Sequence, residues 1–190
     1  KGVIHTHASL LAGGANICSA HHLNSSDRAL CVLPLCLING QVVTVMAPLV
    51  SGSSVVMPRK FSTQRFWCWA VKENCTWFSV VPTMISYLLG TDEGTEHITE
   101  SQLADIRFGR SASAPLAPAV HKAFVERFGI PLVETMGITE TAAQILSNPL
   151  DPVQQKIGST GLPCGNSVRL RDAEGEDCKN GVEGEIEVRG

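Results

Sequence analysis

The chain of 190 residues is 44% hydrophobic and 17% charged, with a mean hydropathy of +0.11, which suits a globular unit with a substantial core and excludes a disordered chain. Its formal net charge of -3 offers no general attraction to nucleic acid or to an anionic membrane, which leaves small molecules as the expected partners. Seven cysteines, with no C-x-x-C pair among them, suggest neither a disulfide framework nor a zinc site and fit reduced thiols in the cytoplasm.

The chain opens on "KGVIHTHASLL". Lys1 is either a phosphate contact or a solvated charge. His5 and His7 would share a face only in a strand, and no third ligand accompanies them, so no metal site is expected there. His21 and His22 read as a helix end. Residues 29–58 carry no formal charge, but Pro34, Asn39, Gly40, Gln41 and Pro48 interrupt the run. It therefore reads as buried strand, helix and strand, with no transmembrane segment.

Apolar runs of strand length then alternate with helical periods. Strands are predicted over Ala29–Leu33, Ser54–Met57 and Thr76–Val81, and helices over Ile38–Val50, Thr63–Glu73 and Thr83–Leu89. After an acidic loop, the pattern predicts a strand at Asp105–Gly109, a helix at Pro118–Phe128 stopped by Gly129, and a strand at Pro131–Thr135. This is βαβ grammar, so the expected fold class is α/β, a layered, largely parallel sheet with flanking helices over residues 1–150. Past Leu150, glycines punctuate short alternating runs such as Ser167–Arg171 and Glu185–Arg189, which fit antiparallel strands at the start of a β-rich subdomain over residues 151–190. Both ends look cut, so the span is expected to be a piece of a longer chain.

Several stretches bear on chemistry. "FWCWAVKENCTWF" gathers all three tryptophans but only one basic residue, Lys72, so it reads as core and not as a base-stacking platform. No G-x-G-x-x-G follows a strand, which disfavours a nucleotide-dependent oxidoreductase. "GRSASAPLAP" at 109–118 puts small side chains after a strand, where a flat ring could lie against backbone amides; it is equally a plain loop entering the helix at Pro118. In "LVETMGITETAAQI" at 132–145, Gly137 permits a tight turn and Thr139 stands where a helix would begin. Two readings stay open: a Thr cap with an acidic first turn, or a hydroxyl that meets a phosphate beside Glu140 as an oxygen ligand for Mg²⁺.

Taken in order, "KGVIHTH", "LCVLPLCLINGQ", "FSVVPTMISYLL", "SASAPL", "MGITET", "GSTGLP" and "GEIEVRG" resemble the adenylate-forming (AMP-binding) superfamily of acyl-CoA synthetases, luciferases and peptide-synthetase adenylation domains, over the whole chain. The "LINGQ" stretch looks most like acyl- or aryl-CoA synthetases. The resemblance implies an ATP-dependent acid–thiol ligase, in which a carboxylate attacks the α-phosphate of ATP with Mg²⁺ and coenzyme A then takes the acyl group. The implied partners are a small carboxylic acid, ATP/AMP and coenzyme A.

Carried over residue by residue, the resemblance makes Thr139 and Glu140 the catalytic pair, Thr139 on the α-phosphate and Glu140 as the Mg²⁺ ligand. It sets Ser113, Ala114 and Pro115 against one side of the adenine and Thr135, Met136 and Gly137 against the other. Lys1 and Gly2 resemble the tail of the phosphate loop, and Leu37, Asn39 and Gly40 match the segment at the acyl pocket. The chain departs from the family pattern in three places: Met136 replaces an aromatic, Cys36-Leu37 replaces Phe-His before "ING", and Ser113 stands where Ala is common. The first two support an alternative, a catalytically silent nucleotide- or acyl-binding relative with the same fold. The rest of the phosphate loop and a lysine-bearing C-terminal domain are expected outside the span, which alone should turn over little or nothing.

Overall fold

The computed structural model describes residues 2–92, 94–96 and 98–190. Helix α1 (His7–His21) opens the fold. A capping box at Thr6 and Ser9 satisfies its free amides, each hydroxyl accepting the other residue's N–H, and His22 closes it in the left-handed region at φ 49°. Only its end was visible as His21-His22; the body mixes Gly, Ala and Ser with apolar residues and carries no clear amphipathic stripe.

Seven strands form one sheet: β1 (Arg28–Cys31), β2 (Ser54–Val56), β3 (Trp77–Val80), β4 (Phe108–Ser111), β5 (Leu132–Ile138), β6 (Ala143–Ser147) and β7 (Leu162–Pro163), in the spatial order β2-β1-β3-β4-β5-β6-β7. The pairings from β2 across to β5 are parallel; β6 runs antiparallel to β5 and to β7. The predicted α/β class and largely parallel sheet are thus what the chain adopts. Strands β3 and β4 are buried along their whole length, as parallel strands covered on both faces must be.

The period-2 alternation of β3 sorts its two rings onto opposite faces. Phe78 joins Phe66 and Trp67 of α3 (Thr63–Lys72) and Phe124 and Phe128 of α6 (Pro118–Phe128), beneath α4 (Pro82–Leu89). Trp77 packs on the other face with Phe108, rings stacked at 5.6 Å, under α1 and the segment after β1. Each such side chain, fully buried, contributes about 2–3 kcal/mol of transfer free energy, and all three tryptophans lie in or against the core as read from the sequence.

Two stretches differ from expectation. The helix predicted over Ile38–Val50 is a π-helical segment, Asn39–Met46, followed by α2 (Ala47–Ser51). The Ala47 amide reaches back five residues to the Val42 carbonyl, the Thr44 hydroxyl takes the Gly40 carbonyl at 2.8 Å, and Pro48 has no amide with which to continue an α-helical ladder. Nor does a helix begin at Thr139: residues Thr139–Thr141 form one 3₁₀ turn, after which the chain reverses into β6. Ala142 and Ala143 make that reversal at φ 52° and 95°, a role usually given to glycine, so the sequence carries no turn signal there.

Short helix α5 (Glu100–Leu103) precedes β4, which starts three residues later than predicted. Beyond β7, β8 (Ser167–Arg171) pairs antiparallel with β9 (Glu185–Arg189) over the predicted residues, with Arg169 and Glu187 joined across the strands at 2.6 Å.

Candidate active site

At the carboxyl ends of the parallel strands two loops leave the sheet side by side, the usual place for a ligand in an open α/β fold. One follows β4. Its Ser113 sits at φ 73°, a conformation rarely adopted by a residue with a side chain and one that turns the loop back over the strand ends. The other is the bulged end of β5, where the pairing with β6 shifts between Met136 and Gly137. Gly137 is required there: a Cβ at that position would lie 1.9 Å from the Ala143 carbonyl oxygen.

Between the loops lies a hollow of about 690 Å³. Ser113, Ala114 and Pro115 form one wall, and Thr135, Met136 and Gly137 form another. Lys156 and the stretch Gly158–Thr160 close a third side. Glu134, buried at the base, fixes that third side: its Oε1 accepts from the Gly158 amide at 2.8 Å and from His121 Nδ1 of α6 at 2.9 Å. Asn148 adds a bond from Nδ2 to the Ser159 carbonyl at 2.6 Å.

Thr139 and Glu140 stand just past Ile138, which lines the hollow, on the exposed 3₁₀ turn. The His5 ring donates from Nε2 to the Thr139 carbonyl at 2.6 Å and so ties the turn to the start of α1. Among the described residues, neither the Thr139 hydroxyl nor the Glu140 carboxylate has a protein partner of its own.

On the α1 face of the sheet a polar cluster adjoins the Ser113 loop. Arg110 of β4 is 1% exposed, and its guanidinium contacts only neutral oxygens: Gln144 Oε1 at 3.0 Å from Nε and 2.7 Å from Nη2, Asn39 Oδ1 at 3.1 Å and Ser79 Oγ at 3.1 Å from Nη1. Burial lowers the Arg110 pKa to about 9, which still leaves a cation at neutral pH. His21, also fully buried, is pushed down to about 3 by burial and then by the Arg110 charge, so it is neutral. A charge in such surroundings with no carboxylate costs several kcal/mol.

The AMP-binding enzyme family matches residues 1–190, the whole chain. This chain is a member of the AMP-binding enzyme family. It is 50% identical over 190 residues to a sulfoacetate–CoA ligase of Cupriavidus necator, covering 100% of this chain and 36% of that protein. It is 34% identical over 193 residues to an oxalate–CoA ligase of Arabidopsis thaliana, covering 100% of this chain and 37% of the relative. The ATP-bound crystal structure of MatB from Rhodopseudomonas palustris superposes with a TM-score of 0.89 at 26% identity, covering 100% of this chain and 37% of that one. The chain thus spans about a third of the length of these AMP-binding proteins.

In this member of the family, the six residues expected around the adenine all meet at one hollow, while Thr139 and Glu140 flank it on the turn. Asn39 and Gly40 are buried in the π-helical segment, and Asn39 Nδ2 reaches Ser113 Oγ at 3.4 Å, joining the expected acyl segment to the expected adenine loop. Gly40 is needed by close approach, since a Cβ there would sit 2.5 Å from the Pro34 carbonyl oxygen. Leu37 is 51% exposed. Gly2 is exposed with open space around its Cα, and Lys1 lies outside the described residues.

A magnesium ion fits the turn on the chemistry of its donors. Mg²⁺ accompanying a nucleotide uses one or two carboxylates together with phosphate and water oxygens, and the unpartnered Glu140 carboxylate supplies one. Among the described residues no cluster of three or more acidic, His or Cys groups offers an all-protein metal cage. Sequence reasoning named neither Arg110, Ser79 and Gln144 nor Lys156 and Gly158–Thr160 as site residues. An arginine inside the apolar strand "FGRS" was the available signal for the first group; "GSTGLP" was noted only as part of the resemblance.

Proposed function

We propose that the protein to which this chain belongs is an ATP-dependent acid–thiol ligase that joins a carboxylic acid to coenzyme A through an acyl-adenylate. The observation that carries the reading is the convergence of Ser113, Ala114, Pro115, Thr135, Met136 and Gly137 on one hollow at the sheet's carboxyl edge, beside a turn with a free hydroxyl and a free carboxylate. Family membership and the CoA ligase names of the relatives support it.

In this reading the adenine lies between the Ser113–Pro115 loop and Met136. The Met136 thioether covers the ring in place of an aromatic. Thr139 donates its hydroxyl to an α-phosphate oxygen, and Glu140 holds Mg²⁺, which when bound neutralises charge building on the phosphates. An oxygen of the acid forms a bond to the α-phosphorus and pyrophosphate leaves; the coenzyme A sulfur then bonds the acyl carbon, its thiol proton passes to solvent, and AMP leaves with the electron pair of the broken acyl C–O bond. No protein nucleophile is needed, which agrees with seven cysteines that carry no catalytic role. The acid enters beside Leu37, Asn39 and Gly40. Gly2 and Lys1 belong to the phosphate loop in this reading, residues 1–150 to the central α/β part of the AMP-binding domain, and residues 151–190 to the start of a β-rich subdomain.

All seven cysteines are free thiols, which suits a reducing compartment, and we assign the protein to the cytoplasm. No helix among the described residues is long and apolar enough to cross a membrane. The test is acid-dependent pyrophosphate and AMP release by the full-length protein. Glu140→Gln is expected to lower kcat at least about 100-fold with the fold intact, since a positioned charge acting on the transition state is worth that much. Failure of every carboxylic acid to elicit pyrophosphate would overturn the reading.

A further inference from the structure

A buried arginine is ordinarily matched by a carboxylate, because the guanidinium stays charged and loses its hydration on burial. Arg110 has no ion-pair partner among the described residues. Its acceptors are the amide oxygens of Asn39 and Gln144 and the Ser79 hydroxyl, none of which carries charge. The titratable groups beside it add no anion either: His21 is neutral, and burial raises the Cys164 thiol above its ordinary range, so it stays protonated.

The surplus charge borders the site. Asn39, which accepts from Arg110 on its oxygen, reaches Ser113 of the hollow's wall with its nitrogen. Ser111, the next residue along β4, lines the hollow with a buried Oγ that has no partner, and His21 Nδ1 on the other side of the cluster is likewise unpartnered. The unmatched cation, hydrogen-bonded to Asn39 of the segment assigned above to the acid, is what a polar anionic ligand would complete; the Ser111 hydroxyl, one residue on along β4, projects from the other face of the sheet. A hydrocarbon tail would leave the cation unmatched.

We infer that the acid activated here is a short carboxylic acid carrying a second anionic group, carboxylate or sulfonate, and that Arg110 is the specificity-determining residue that holds this second group. The inference rests on the ligase reading and names its substrate class. The reacting carboxylate goes to the nucleotide, and the distal anion takes Nη1 and Nη2 of Arg110 in place of the Asn39 and Gln144 oxygens. A bidentate charged contact replaces neutral ones, so binding of the wrong acid leaves the cation as it was.

The experiment is a kinetic panel on the full-length protein, measuring pyrophosphate release with oxalate, malonate and sulfoacetate against acetate, propionate and hexanoate. At least one acid of the first group is expected to exceed every acid of the second in kcat/KM by about 100-fold or more, the scale of a charged hydrogen-bonded pair. The carboxylate and sulfonate arms then identify which anion fits. Arg110→Met is expected to cut that preference ratio about 100-fold through KM for the acid, with KM for ATP little changed, and Arg110→Lys to restore part of it. Release with monoacids equal to or better than with the doubly anionic acids overturns the Arg110 inference and leaves the ligase reading standing, whereas no release with any acid removes both. An equal loss for all acids in Arg110→Met, with ATP affinity lost too, assigns the arginine a structural role and also overturns the inference. Should that variant fail to fold, the panel on the native protein decides alone.

Discussion

Arg110 grips Gln144 through two donors to a single oxygen, Nε at 3.0 Å and Nη2 at 2.7 Å from Oε1. The geometry is that of an arginine on a carboxylate, with an amide standing where the carboxylate would be. Gln144→Glu supplies the missing charge without changing shape. We expect it to raise the unfolding free energy by about 1–3 kcal/mol, measured by urea titration, by turning an uncompensated buried cation into a pair. The same change should abolish the preference for doubly anionic acids, because the site would then neutralise itself.

Gly137→Ala would place a methyl group 1.9 Å from the Ala143 carbonyl, so the reversal from β5 into β6 has to shift. Overpacking against backbone of this kind costs about 2–4 kcal/mol. The expected result is a lowered thermal midpoint together with a loss of ATP affinity of at least tenfold by calorimetry. An unchanged midpoint would mean that the turn gives way more easily than its contacts indicate.

His5→Ala removes the donor to the Thr139 carbonyl from a largely exposed place. Stability should change by less than about 1 kcal/mol. The 3₁₀ turn, released from α1, should position its hydroxyl less well, lowering kcat on the order of three- to tenfold while KM for the acid holds. Equal kcat in variant and native protein would count against the tie.

Acid should weaken the fold through His21. Its folded pKa is about 3 against 6.5 for the free side chain, so below pH 6.5 the unfolded chain binds a proton that the folded chain refuses. The stability is complete above pH 6.5 and falls as pH drops toward 3, at up to about 1.4 kcal/mol per pH unit from this group. Urea titrations at pH 7, 5.5 and 4.5 should show a shallower decline for His21→Gln than for the native protein.

The βαβ layering was legible because strands covered on both faces must be apolar and helices beside them must be amphipathic; Phe66, Trp67 and Phe78 declared themselves that way. The loops around the hollow were legible only as an ordered set of short motifs. What stayed hidden was fixed by contacts distant in sequence. Ala142 and Ala143 adopt a backbone that nothing in their side chains announces, and so β6 was missed. Arg110 and Gln144 are 34 residues apart, and neither reads as half of a site until β4, β5 and β6 lie side by side. The π-helical register of Asn39–Met46, with the Ala47 amide on the Val42 carbonyl, is a hydrogen-bond pattern that hydrophobic periodicity does not express.

Glu134 shares one oxygen between His121 and the Gly158 amide. Helix α6 and the strip that closes the hollow opposite Ser113 are therefore clamped to a common post, and neither can swing outward without breaking a hydrogen bond to a buried carboxyl group. The opposite jaw is built differently: Ser113 sits at positive φ and its hydroxyl is held by one long bond from Asn39, so room for a bulkier guest is to be sought on that side.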